Sequence, residues 1–195
     1  MKVLIIATTK IDMNGITHVI LNYYKSMDKR GMKIDLVAPN DVRDSIKHVF
    51  EADDNKIYSI KTRLRNPILY IKKLGKIIKE NNYDIVHAHG NSATLFLEMY
   101  AAKRSDVPVR IVHSHNTTCK YKLVDKLLRP LFYKCYNYGF ACGKDAGDWL
   151  YRSRPFITIN NGIDIDQFGY NSFIRNECRF KYGFVHNKVI GHIGH

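Results

Sequence analysis

The chain has 195 residues, 45% of them hydrophobic and 25% charged, proportions of a soluble globular protein long enough for a real core. No run approaches the roughly 18 apolar residues that a membrane-spanning helix needs, and the apolar run in "MKVLIIATTKID" is too short for a signal peptide and lacks a small-residue cleavage site. The formal net charge of +13 implies an anionic partner, while the four cysteines show neither C-x-x-C pairing nor zinc-knuckle spacing and fit reduced thiols.

Short apolar runs alternate with amphipathic ones along the chain. Residues 2–8 read as a buried strand. A helix follows, with Ile16, Val19, Ile20, Tyr23 and Met27 on one stripe and Gly31 as its stop. Residues 32–39 form the second strand, a short helix runs to about residue 52, and 56–60 form the third strand. Asn66 before Pro67 is a helix start, with Ile68, Ile71, Leu74 and Ile78 expected inward and Lys72, Lys73, Lys76 and Lys79 outward. Residues 83–89 are the fourth strand, Asn91 or Ser92 caps a helix to about Lys103, and 107–115 are the fifth strand. A helix over 123–136 contains Pro130, expected to kink or divide it. Residues 138–143 and 156–160 are two further strands flanking a short helix over 144–151.

This alternation predicts an α/β fold: a Rossmann-like, doubly wound parallel sheet with helices on both faces. The expected organisation is one domain over 1–165, a connection over 166–187, and over 188–195 a strand that opens a truncated second domain. In such a sheet, ligands lie outside the carboxyl ends of the strands. The loop "TTKIDMNGIT" and the strand ends "HAHGNS" and "HSHNTT" should therefore share one crevice. Gly15 lacks G-x-G-x-x-G company and reads as a turn glycine or a ligand-facing one.

In a strand, residues two apart share a face, so His87 projects with His89 and His113 with His115. The later member of each pair is expected to emerge into the crevice, and the earlier to sit against a covering helix. Four histidines could gather round a metal, but neither motif holds a carboxylate, and none is expected. No G-x-S-x-G elbow supplies a nucleophile. The charge is uneven: residues 61–82 carry seven bases against one acid, and 119–138 five against one.

In order along the chain, "NGITHVILNYYKSMDKRGMKIDLVAP", "YDIVHAHGNSATLFLEMYAAKRSDVPVRIVHSHNT", "KLLRP", "YGFACGKDAGDWLY", "NNGIDIDQF" and "VIGHIGH" resemble the amino-terminal half of retaining glycosyltransferases of family 4. Those enzymes have the GT-B fold of two facing Rossmann-like domains, and the likeness is to bacterial enzymes of capsular or exopolysaccharide assembly. The resemblance implies a nucleotide-sugar donor, a saccharide or lipid-linked acceptor, and neither cofactor nor metal. On it, Asn14, Gly15, Ile16 and Thr17 face the cleft near donor diphosphate and acceptor, and His89 and Gly90 form the acceptor side. His115, with Asn116, lies near the transferred sugar, with a catalytic role in hydrogen bonding and orientation rather than attack. Asn161 and Gly162 lie at the domain junction.

There are departures from the family pattern. Met13-Asn14-Gly15 replaces a Gly-Gly pair, Gly143 a serine, Asn160 a proline and His195 an arginine. The paired glutamates of an E-x7-E pattern are absent, so the 195-residue chain is expected to turn over negligibly by itself. The basic segments 66–79 and 120–136 suit a peripheral face on anionic membrane, at the cytoplasmic side of the plasma membrane. Two other classes stay open: a partner-binding half that works with a separate donor-domain chain, and a basic anion- or nucleic-acid-binding module. The second lacks any helix-turn-helix, RRM-like or zinc-finger motif, and no nucleic acid is expected.

Overall fold

The computed structural model describes residues 1–192. Its chain divides into two compact units, Met1–Gly162 and Ile163–His195. In the first, strands β1 (Lys2–Ala7), β2 (Lys33–Ala38), β3 (Ile57–Ser59), β4 (Ile85–Gly90), β5 (Val109–Ser114), β6 (Tyr138–Ala141) and β7 (Ile157–Thr158) form one sheet. Their order is β3-β2-β1-β4-β5-β6-β7, and every pairing is parallel. The order reverses beside β1, so the loops after β1 and β4 flank the topological switch point, where such sheets bind ligands.

Six helices of this unit connect the strands: α1 (Gly15–Ser26), α2 (Asp44–Glu51), α3 (Pro67–Asn81), α4 (Phe96–Arg104, preceded by a 3-10 turn at Ala93–Leu95), α5 (Lys122–Phe132) and α6 (Lys144–Tyr151). The Asn66 side chain caps α3 by accepting from the Leu69 amide at 3.0 Å, with Pro67 in the first turn as expected. Its inward stripe is Tyr70, Leu74 and Ile78, a strict four-residue spacing. Ile68 is 70% exposed, contrary to expectation, because Tyr70 fills the inward position of that turn. In α1 the buried stripe is Thr17, Val19, Ile20 and Tyr24. Tyr24 is tied down by Asp53 at 2.6 Å and Asn55 at 2.7 Å, which leaves Tyr23 at the helix edge. Pro130 lies inside α5 without dividing it; the helix ends two residues later, before the expected boundary at 136.

The sheet separates two apolar clusters. One gathers Leu4, Leu74, Ile78, Val86, Ala88 and Val112, and the other Ile5, Ile20, Tyr24, Leu36 and Phe50. Each such side chain contributes about 1.5–3 kcal/mol by leaving water. Across the first cluster Arg63 (7% exposed) donates to Glu98 (0%) at 2.7 Å, so one member of the basic run 61–82 is buried rather than on the surface.

The second unit holds α7 (Ser172–Lys181), whose cap Asn171 accepts from the Ile174 amide at 3.0 Å. This helix lies in the stretch read as a loose connection. Residues 188–192 form no strand among the described residues, since no ladder partner is present for them; Ile193, Gly194 and His195, on which the end of that expected strand falls, lie outside the described residues.

Candidate functional site at the ends of β4 and β5

β4 carries His87 and His89 on one face, and β5 pairs His113 in register with His89. With His115 just beyond β5, parallel strands about 4.8 Å apart bring four imidazoles into one stack. Ring centroids lie 4.3 Å apart for His87–His89 and for His113–His115, and 5.1 Å apart for His89–His113 and for His89–His115. The rings of His87 and His113 are parallel within 3° at 5.5 Å. Nδ1 of His89 and Nε2 of His115 share a hydrogen bond of 2.8 Å. Burial pushes the rings below the usual histidine range, to about 3 for His87, about 2 for His113 and about 4 for His115, and His89 goes well below it. All four are neutral at pH 7.

The later members do not both emerge. His89 is 2% exposed, turned onto His115 rather than into open solvent. Loop contacts close over it: the Thr8 amide and hydroxyl donate to the His89 carbonyl at 3.2 and 2.8 Å, and the His115 amide donates to the Asn91 side chain at 3.3 Å. Trp149 holds that turn through its indole N–H on the Asn91 carbonyl at 3.0 Å. Gly90 is required by space, since a Cβ there would stand 2.7 Å from Thr8 Oγ1 and 3.1 Å from Leu95. Nor do the earlier members simply abut a helix. His87 and His113 line, with His89, a cavity of ≈240 Å3 beside Ile20 and Tyr23 of α1 and Met27 at its C-cap. One ring nitrogen from each of these three histidines lies within 4.8 Å of the others, the grouping in the described residues that could hold a metal.

His115 is half-buried and opens onto a hollow of ≈320 Å3 shared with Asn116, Thr117, Cys142, Gly143, Lys144, Asp145 and Ala146. Here β6 ends and α6 begins, so first-turn backbone N–H groups border the hollow, while the Lys144 ammonium pairs with Asp148 one turn on and Asp145 adds an acid to the same wall. Cys142, Gly143 and Lys144 were not expected at the site. The rule that ligands gather at strand ends, applied to β6 as to β4 and β5, points to them.

The loop Asn14–Thr17 does what its residue types dictate locally. Asn14 caps α1, accepting from the Thr17 amide at 3.1 Å, and its own amide group donates to the Lys10 carbonyl at 2.7 Å. Gly15 is exposed, Ile16 half-buried and Thr17 buried, and none of them lines either cavity. Asn161 and Gly162 are exposed. Asn22 donates to the Gly162 carbonyl at 2.9 Å and Tyr23 to that of Asn160 at 2.6 Å, which seats this segment on α1 near the cavity mouth.

Comparison with known proteins places this geometry. The model of Glycosyltransferase Family 4 matches residues 13–167. EpsF of Bacillus subtilis (strain 168), a protein named as a provisional glycosyltransferase, is 30% identical over 198 residues, covering 94% of this chain and 51% of EpsF. Among solved structures, Anabaena HepE in complex with UDP and glucose superposes with a TM-score of 0.69 at 15% identity, over 96% of this chain and 51% of that one. A glycosyltransferase from Rickettsia africae gives 0.69 at 15% identity, over 94% and 49%. The chain thus spans about half the length of the relatives it matches, and its fold is that of the N-terminal half of a GT-B architecture. The chain belongs to glycosyltransferase family 4.

Proposed function

We propose that this chain is the acceptor-side half of a retaining, hexosyl-type glycosyltransferase. The parent protein moves a sugar from a nucleotide-sugar donor to a saccharide acceptor, lipid-linked, in bacterial cell-surface polysaccharide synthesis. The observation that carries the reading is His115, neutral and half-buried, bordering a hollow whose far wall is the α6 N-terminus with Lys144. The first-turn amides of α6 suit a diphosphate, with Lys144 available once it leaves Asp148, and the adjacent imidazole suits hydroxyls of the sugar being moved. His115 engages the sugar by exchanging its bond to His89 for one to a hydroxyl, so His89 holds the ring ready between turnovers. Asn116 lies beside it, and Gly90 keeps the β4 turn close to Thr8.

In this reading Asn14, Gly15, Ile16 and Thr17 approach the donor diphosphate and acceptor from the β1 side, and Asn161 and Gly162 mark the junction. Residues 166–187 form the connection to a donor-binding half, and the transfer itself needs no cofactor. HepE, held with UDP and glucose, supports nucleotide-sugar chemistry for this fold. The 195 residues match half of such enzymes, so the chain by itself turns over negligibly. Appreciable sugar transfer from UDP-sugars by the purified chain would refute that division of labour.

The outer surface supports a membrane contact at the cytoplasmic leaflet. Helices α3, α4 and α5 pack side by side. Ile68 on α3 and Leu123 and Leu127 on α5 are 70%, 78% and 76% exposed among Lys72, Lys73, Lys76, Lys122 and Lys126. Between α3 and α4 runs an apolar groove edged by Lys72, Lys76 and Arg104. Each base near anionic lipid adds about 1 kcal/mol of attraction. No described helix is long and apolar enough to cross a membrane, so this contact is peripheral. Sedimentation with anionic vesicles and not with neutral ones is the expected result; equal binding to both removes the proposal.

A further inference from the structure

The cavity beside α1 has two unlike walls. One is apolar, with Ile5, Ile20, Met27 and Phe140. The other is a bank of imidazole edges from His87, His89 and His113. Nε2 of His87 and both ring nitrogens of His113 are buried without a hydrogen-bond partner among the described residues. Each such nitrogen costs about 1–3 kcal/mol when left unsatisfied. His113 is 1% exposed and sits on a central strand, so neither solvent nor backbone motion relieves that cost. Unpartnered, buried and aimed into a cavity, these atoms describe a ligand-binding surface.

We propose that His87, His89 and His113 form a site for one transition-metal ion of the Zn2+ class on the floor of the cavity beside α1. Zinc binds imidazole nitrogen at about 2.0–2.1 Å, and tetrahedral ligands then stand about 3.3 Å apart. The three nitrogens lie within 4.8 Å of one another. The closure required is at most about 1.5 Å, together with rotation of the His87 and His113 rings out of their parallel stack so that their in-plane lone pairs converge on the ion. His89 uses Nδ1 to meet His115, which leaves Nε2 for the ion; a ligating histidine anchored through its other nitrogen is the usual outer arrangement of such sites. Three imidazoles leave a fourth position open toward the cavity for water or an oxygen ligand. An all-nitrogen donor set favours Cu2+ and Zn2+ over Mg2+ and Mn2+. The expectation of no metal rested on missing carboxylates and on the family resemblance; a three-histidine set needs no carboxylate, and the ion proposed takes no part in the transfer. Its three ligands lie outside the hollow beside Lys144; His115, which lines that hollow, is shared with it as the outer anchor.

The test uses the untagged 195-residue chain, stripped with EDTA and titrated with Zn2+ by calorimetry, with Mg2+ in a parallel arm. Saturation at one Zn2+ per chain and no Mg2+ heat are expected. His113→Ala lowers affinity at least tenfold, His115→Ala lowers it about 10–100-fold through loss of the outer anchor, and His186→Ala leaves it unchanged. Because His113→Ala cuts into sheet packing, 15N-histidine spectra of the unaltered chain give a second readout. Zn2+ shifts the ring nitrogens of His87, His89 and His113 together, complete at one equivalent. Absence of Zn2+ binding, binding that survives His113→Ala, or shifts confined to exposed histidines such as His18, His48 and His186 would overturn the site.

Discussion

β4 and β5 present two faces that differ by one residue of offset. On one, Val86, Ala88 and Val112 are 0% exposed, and the buried hydroxyl of Ser114 beside them donates to the Ala146 carbonyl at 2.8 Å. On the other, His89 and His113 are almost as buried, yet they stack as imidazoles beside a cavity and leave ring nitrogens without partners. Both faces are out of water, so burial does not separate scaffold from site. The chemistry of what is buried does. The apolar face is complete within the chain, its buried hydroxyl paired; the histidine face leaves ring nitrogens of His87 and His113 open.

The sharpest way to break this contrast is to put a charge on the packed face. Val112→Asp should cost at least about 4 kcal/mol, since no partner is available for the carboxylate, and leave the chain unfolded. A loss below about 1 kcal/mol in urea unfolding would show that this face is not a dry core. Acid titration probes the other face. An unfolded histidine takes a proton near pH 6.5, whereas the folded rings refuse it down to about 4 for His115 and about 3 for His87. Their stabilisation is therefore present above pH 6.5 and is lost as the pH falls toward those folded values. Between pH 7 and 5 each ring that stays neutral removes about 2 kcal/mol, and urea midpoints of chelator-treated protein should fall accordingly. An unchanged midpoint would mean that the rings are not buried as described.

Smaller effects sharpen the boundary between the faces. Gly90→Ala should destabilise by about 1–3 kcal/mol, because the new methyl meets Thr8 and Leu95 at the turn that closes over His89. His113→Phe keeps a flat ring and removes two unpartnered nitrogens, so metal-free stability should stay within about 1 kcal/mol of the parent or rise. A thermal shift measurement on both variants distinguishes these outcomes. A large loss for His113→Phe would show that the nitrogens already have partners in the folded chain.

Much of the scaffold was legible because its signals are local. Short continuous apolar runs marked the strands, and Asn66-Pro67 marked the start of α3. The pairing of His87 with His89 and of His113 with His115 followed from alternation. What no single segment encodes is register between strands. That His89 lies opposite His113, and that His115 folds back onto His89, comes from β4 and β5 meeting in space. Long-range pairing also hid Arg63, which looks like one more surface base until Glu98 is brought to it from 35 residues away. Tyr23 and Tyr24 are adjacent and alike in sequence; which of them enters the core was decided by Asp53 and Asn55. Helix α7 was missed because its apolar residues, Phe173, Ile174 and Phe180, sit among polar ones with no alternation to announce a partner.

The most direct measurement is sugar transfer by the parent protein, with both halves present, carrying His115→Ala in one preparation and no substitution in another. If the strand-end imidazole orients the reacting sugar, kcat/KM should fall about 100-fold or more, mostly in kcat, while the circular dichroism spectrum stays unchanged. A correctly folded His115→Ala protein that transfers sugar within twofold of the parent rate would contradict the account.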